Sequence, residues 1–133
     1  MQVRDRVKEF RRVNAAELQP HPRNWRLHPV AQRNALRGVL AEIGYADALL
    51  VRELDDGSLQ LIDGHLRAET TPDATVPVLV LDVTEAEAEK ILLTHDPLAA
   101  MATPAHEELA SLLAEVETEN DSVRQMLDAL AAK

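Results

Sequence analysis

The nine residues Leu61-Ile62-Asp63-Gly64-His65-Leu66-Arg67-Ala68-Glu69 constrain the fold more than any other stretch of the chain. Leu59 and Leu61 alternate into Ile62 as a half-buried strand does; an acid and a glycine follow, and helix formers then take over. A strand that ends in a sharp glycine turn and runs straight into a helix belongs to an α/β fold. The first N–H groups of such a helix have no partners, and with the helix dipole they favour an anion. Gly64 lets backbone approach a ligand closely, and His65 and Arg67 set donors beside it. A phosphate suits that turn. On these residues alone, a plain strand–helix turn with Arg67 paired to a surface acid fits equally well.

The flanking sequence alternates in type. Lys8 to Val13 reads as a short strand, and a proline-punctuated loop runs from Pro20 to Pro29. Pro29 opens a helix in which Leu36, Val39, Leu40 and Ile43 form one apolar stripe ending near Gly44. Strands over 48–54 and 58–62 flank Asp55-Asp56-Gly57, a hairpin signal. Val76 to Val83 reads as a strand buried on both faces, with Pro77 calling for an edge or first-residue position. Beyond it the pattern is helical. Thr84 and Glu87 have capping-box spacing, Asp96-Pro97 starts a short helix, and two amphipathic helices joined by Glu117–Ser122 read as an α-hairpin.

The expected architecture is therefore α/β in the α+β sense. One small mixed sheet with packed helices occupies residues 1–83, and a helical extension over 84–133 packs on that core. The helix over 29–43 should lie on the sheet, the helix over 64–71 should start at its edge, and helices over 84–95, 104–117 and 121–132 should follow without another strand.

A chain of 133 residues with 46% apolar content suits a single core, built from Leu, Val, Ile and Ala because Phe10, Trp25 and Tyr45 are its only aromatics. The absence of cysteine removes disulfides, thiolate catalysis and thiolate metal sites together. No apolar run approaches the roughly 20 residues needed to span a bilayer, and the start lacks a signal-peptide core, so a cytoplasmic protein is expected with no membrane partner. The charge is lopsided. Residues 1–71 carry 11 Lys/Arg against 10 Asp/Glu, whereas residues 72–133 carry 3 against 13. Acidic helices repel a DNA backbone, so contact with a polyanion should use the N-terminal half, where Lys8, Arg11, Arg12, Arg23 and Arg26 cluster. Arg4 and Arg6 read more simply as solvated.

The histidines offer no recognisable metal motif. His21, His28 and His65 lack i, i+4 or His-x-Glu spacing, so no metal ligands are assigned. His95 reads as a cation near a helix C-terminus or as core, and His106 as a surface residue.

Three segments carry a resemblance. Asp63-Gly64-His65-Leu66-Arg67-Ala68-Glu69 resembles the Gly-Glu-Arg-Arg-x-Arg-Ala box of ParB partition proteins and the Gly-His-x-Arg boxes of their relatives, the sulfiredoxins and free serine kinases. Upstream, the stretch from Leu18 to His28 looks like the family's "L-x-P-x-P-x-N-x-R" loop. Between them, the stretch from Ile43 to Arg52 looks like its "G-x-x-x-P-L-x-V" strand, with Ala48 where proline is usual. The likeness covers roughly residues 8 to 100 and implies a ParB/sulfiredoxin-like fold. It also implies that Asn24 and Arg26, on a loop folded over the same pocket, join Gly64, His65 and Arg67 in holding phosphates. Asp63 could orient a magnesium ion or act as a base, with a nucleoside triphosphate and magnesium as the cofactor pair.

The departures narrow the inheritance. Without the sulfiredoxin cysteine, sulfinic acid reduction is excluded. Leu66 stands where ParB proteins that hydrolyse CTP have an arginine, and Leu93-Thr94-His95-Asp96-Pro97 stands where they have "E-N-x-Q-R". The chain is most similar to ParB-like modules that precede bacterial and phage DNA methyltransferase domains, with their "N-x-R-x-H", "DGH-x-R" and "D-x-L-A" segments. Three readings stay open: a nucleotide- or nucleic-acid-binding module of a DNA-modification or partition system, a magnesium-dependent phosphoryl-transfer enzyme or ParB-like nuclease using Asp63, and a non-catalytic scaffold, with a homodimer compatible with each.

Overall fold

A computed structural model describes residues 1–133. The elements in chain order are β1 (Val7–Asn14), a 3-10 turn (Ala15–Glu17), α1 (Val30–Glu42), β2 (Leu49–Glu53), β3 (Leu59–Asp63), α2 (His65–Thr70), β4 (Thr75–Leu81), α3 (Glu85–Ala100), α4 (His106–Glu115) and α5 (Asp121–Ala131). This is the expected mixed α/β order, and no strand follows β4. The chain divides into two compact units: residues 1–26 with 45–100, and residues 27–44 with 101–133.

The first unit is built on one four-stranded sheet in the order β1-β4-β2-β3. β4 runs antiparallel to β1 and parallel to β2, and β2 and β3 form the hairpin turned by Asp55-Asp56-Gly57. Gly57 has φ +86°, and Asp56 accepts from the Ser58 backbone and hydroxyl. One face of the sheet buries Leu49, Val51, Leu59, Leu61, Val76, Val78 and Val80 with Ala15, Leu18 and Ala68. On the other, α3 lays Ala88 against Ile62 and Leu81.

β4 is thus covered on both faces as expected, but it is an interior strand, which corrects the edge position expected from Pro77. The parallel ladder to β2 begins only at Val78, so at Pro77 the strand has β1 alone as neighbour and loses no bond on the β2 side. A second correction concerns α3, which runs unbroken through Pro97 where a new helix was expected. Pro97 removes one helical hydrogen bond, yet the helix on both sides of it continues.

The capping box expected at the start of α3 is present. Glu87 accepts from the Thr84 backbone at 2.9 Å, and Thr84 Oγ1 accepts from the Glu87 N–H at 3.2 Å. Arg6 is not merely solvated: its guanidinium donates to both Glu87 oxygens, at 2.7 and 2.9 Å, and its Nε to the Asp82 carbonyl. These bonds, with the Thr84 N–H, hold the Glu87 carboxyl down from its ordinary 4.5 to about 2. A depressed carboxyl stabilises the fold above its unfolded value and loses that contribution as pH falls through the folded one. The stability advantage of the native chain over Arg6→Ala should therefore shrink as pH falls from 4.5 to about 2. Urea titrations at stepped pH test this; an offset that stays constant across the window would refute it.

In the second unit α1 packs on α5, a partner not assigned to it when it was expected on the sheet. The buried positions of α1 are Ala35 and Gly38, and Ile43, the last member of the expected stripe, is exposed. Gly38 sits so close to Asn120 and Val123 that any side chain there would overlap them. Asn120 caps α5 by accepting from Val123 N at 3.0 Å, and Thr118 donates to Glu42. α4 has no buried residue. No helix is long and apolar enough to cross a membrane.

Candidate functional site

The site forms where β3 gives way to α2. A register shift between Leu50 and Val51, whose partners are Asp63 and Leu61, re-aims the end of β3 at Asp63. Gly64 follows with φ +102° and ψ 20°, a left-handed turn that opens α2. Its missing side chain also matters, because a Cβ there would overlap Leu49 and come within 3.1 Å of an Arg67 nitrogen. Tyr45, between α1 and β2, pins α2 beyond the turn, its hydroxyl donating to the Arg67 carbonyl at 3.0 Å.

Arg67 reaches back from α2 to join two acids. One terminal nitrogen lies 2.7 Å from Asp47 Oδ2 and the other 3.0 Å from Asp63 Oδ2. Asp63 in turn lies 3.9 Å from His95 Nε2. Arg26, on the loop before the second unit, puts a nitrogen 3.2 Å from Asp96 Oδ2. One ligand atom from each of Asp63, His95 and Asp96 lies within 4.8 Å of the others. Arg26 and Arg67 therefore meet one group of side chains from two different elements. Burial, reinforced by the Asp96 charge, raises the Asp63 carboxyl above its ordinary value, and Arg67 and His95 only partly offset it.

The other expected residues are placed as follows. Asn24 Oδ1 accepts weakly from the Arg26 backbone at 3.5 Å, so it shapes the loop that carries Arg26. His65 is buried and faces inward. Its Nε2 accepts from the His21 backbone at 3.0 Å, so this nitrogen, expected to donate to a phosphate, is turned to the loop instead. His21 Nδ1 accepts in the same way from the Arg23 backbone, and burial lowers the His21 pKa. Two buried imidazoles thus hold the loop that presents Arg26.

Asp63, His95 and Asp96 are the residues that could hold a divalent cation: two hard carboxylates and an imidazole, compatible with magnesium, manganese or zinc. No spacing rule finds them, since Asp63 ends a strand and the other two lie on α3. Only the "D-x-L-A" segment in the sequence pointed at Asp96. Asp47, the second partner of Arg67, left no sequence signal.

No protein-family model and no curated protein matches the chain. Solved structures do. The chain is similar to the C-terminally truncated chromosome-partitioning protein ParB from Caulobacter crescentus complexed with CTP-γ-S, with a TM-score of 0.64, 23% identity, and coverage of 77% of this chain and 60% of that one. It is also similar to the truncated protein from the same organism complexed to the centromeric parS site, with a TM-score of 0.52, 20% identity, and coverage of 92% and 68%. The chain spans about three fifths of the CTP-γ-S-bound structure's length. The fold is ParB-like.

Proposed function

We propose that the chain is a nucleotide-binding domain that takes a nucleoside triphosphate as its complex with a divalent cation, in a DNA-modification or DNA-partition system. The observation that carries the proposal is the convergence of Arg26 and Arg67 on Asp63, His95 and Asp96. Support comes from the ParB-like fold, since one neighbour is complexed with CTP-γ-S and another with DNA.

The charges say what form the ligand takes. Asp47, Asp63 and Asp96 outnumber Arg26 and Arg67, so a bare phosphate meets both guanidiniums already engaged and a carboxylate in excess. Asp63 and Asp96 would hold a divalent cation that offsets this excess, and Arg26 and Arg67 would then serve the phosphate oxygens. Magnesium supplies charge neutralisation and orientation of the phosphates; Arg26 and Arg67 bind them, and Asn24 shapes the loop. The raised Asp63 carboxyl favours a second reading, in which Asp63 accepts a proton from an attacking water and the domain transfers or hydrolyses a phosphoryl group.

DNA is not the direct ligand of the isolated domain in this reading. Among the bases expected to meet it, Arg11 pairs with Glu9 and Glu53, Lys8 with Glu53 and Arg23 with Glu89, while Arg12 lies over the Phe10 ring and Arg26 belongs to the phosphate site itself. A partner such as a DNA methyltransferase domain would hold the DNA.

Calorimetric titration with ATP, CTP, GTP and UTP, each with magnesium and again with EDTA, tests the proposal. Binding that needs the cation and falls at least tenfold in Arg26→Ala supports it. The absence of binding by any of the four at millimolar concentration, or tight and salt-resistant binding of duplex DNA in its place, would overturn it.

A further inference from the structure

Trp25 is the only tryptophan in the chain, and it stands half exposed at 51%. It is nevertheless held in place. Its indole N–H donates to the Leu92 carbonyl on α3 at 3.3 Å, one turn before His95 and Asp96. The Arg26 guanidinium lies over the ring, 5.0 Å from its centroid, and the same group reaches Asp96 at 3.2 Å. A fixed, solvent-open aromatic ring thus immediately precedes the arginine that faces the carboxylates.

A nucleotide presents two chemistries: anionic phosphates and a base with a π-face. Arg26 answers the first, and the side chain beside it answers the second. We infer that Trp25 is the surface on which this site stacks the base of its nucleotide, an inference that rests on the nucleotide reading above. The tether to Leu92 sets the plane of the ring, so little freedom is lost when a base stacks on it. Arg26 covers the ring while it pairs with Asp96. An Arg26 that served the phosphates in place of Asp96 would leave that face of the indole free for the base. Stacking reads any base, because every base has a π-face, so this contact adds affinity with little base selectivity.

The single tryptophan makes the test direct. Indole emission of the full chain is followed, with inner-filter correction against free N-acetyltryptophanamide, during titration with magnesium ATP, magnesium CTP and magnesium tripolyphosphate. The expected result is quenching by both nucleotides, little change with tripolyphosphate, and roughly tenfold or more tighter binding of the nucleotides. Calorimetry on Trp25→Ala should then show that increment gone with tripolyphosphate affinity kept, and Trp25→Phe should retain most of it. Nucleotides and tripolyphosphate that bind alike, without base-dependent quenching, overturn the role of Trp25 and leave the phosphate site standing. If neither ligand binds the native chain, the nucleotide reading itself falls, and this inference with it.

Discussion

Gly64→Ala should lower the stability of the fold by about 2–6 kcal/mol, in two parts of similar size. A non-glycine residue at φ +102° carries backbone strain of about 1–3 kcal/mol. The new methyl group would also overlap Leu49, which is fully buried and has nowhere to retreat, and overpacking of that kind costs about 1–3 kcal/mol. Gly57→Ala is the internal control. Its φ is +86°, but nothing lies within 4 Å of a Cβ there, so only the strain part applies. Urea unfolding of the two variants separates strain from crowding. Equal losses would mean that Leu49 moves freely and that the close approach at Gly64 contributes nothing.

Arg67→Ala should cost about 2–4 kcal/mol at neutral pH, before any ligand is considered. The Arg67 side chain is 16% exposed and serves two acids, and Asp63, itself 19% exposed, would be left beside Asp96 without its main cation. The loss should shrink on acidification. The Asp63 carboxyl already titrates above its ordinary value, and without Arg67 it would rise further. For a raised carboxyl the destabilisation is present at high pH and relieved as pH falls through the folded value, because the protonated form needs no partner. Unfolding of Arg67→Ala at pH near 7.5 and near 5 shows whether this holds, and adding Asp63→Asn should recover much of the neutral-pH loss. Full stability of Arg67→Ala at neutral pH, with nucleotide binding lost, would make Arg67 a ligand-binding group alone and refute its role as a clamp.

The sequence disclosed the parts of this fold that depend on near neighbours. Asp63-Gly64-His65 marked the turn, Asp55-Asp56-Gly57 the hairpin, and Thr84 with Glu87 the helix start, because each works through bonds spanning a few residues. What depends on distant pairing was hidden. Pro77 looked like an edge residue because a sequence does not say where a parallel ladder begins. The pairing of α1 with α5 is hidden because its buried positions are Ala35 and Gly38, small residues with almost no hydropathy signal, and it is Gly38 that admits Asn120 and Val123. The candidate site shows the same division. Asp63, Arg67 and the loop of Arg26 were legible, whereas His95 became visible only once α3 was seen to run past the end of β3. His65 has the residue type of an anion donor, but its Nε2 is turned to the His21 backbone as an acceptor.

The strand order has a consequence for the chain as it is being made. β1 is synthesised first, yet its one neighbour in the sheet is β4, the last strand to appear. Until Thr75–Leu81 have left the ribosome, residues 7–14 can form no native ladder and must wait as an unpaired edge, the kind of segment that seeds aggregation. Lys8, Glu9, Arg11 and Arg12 crowd that segment with charge of both signs. In the finished sheet Lys8, Glu9 and Arg11 form surface ion pairs of little individual worth and Arg12 lies over Phe10; in a nascent chain, charges so placed are of the gatekeeper kind that keeps a strand soluble while its partner is still being translated.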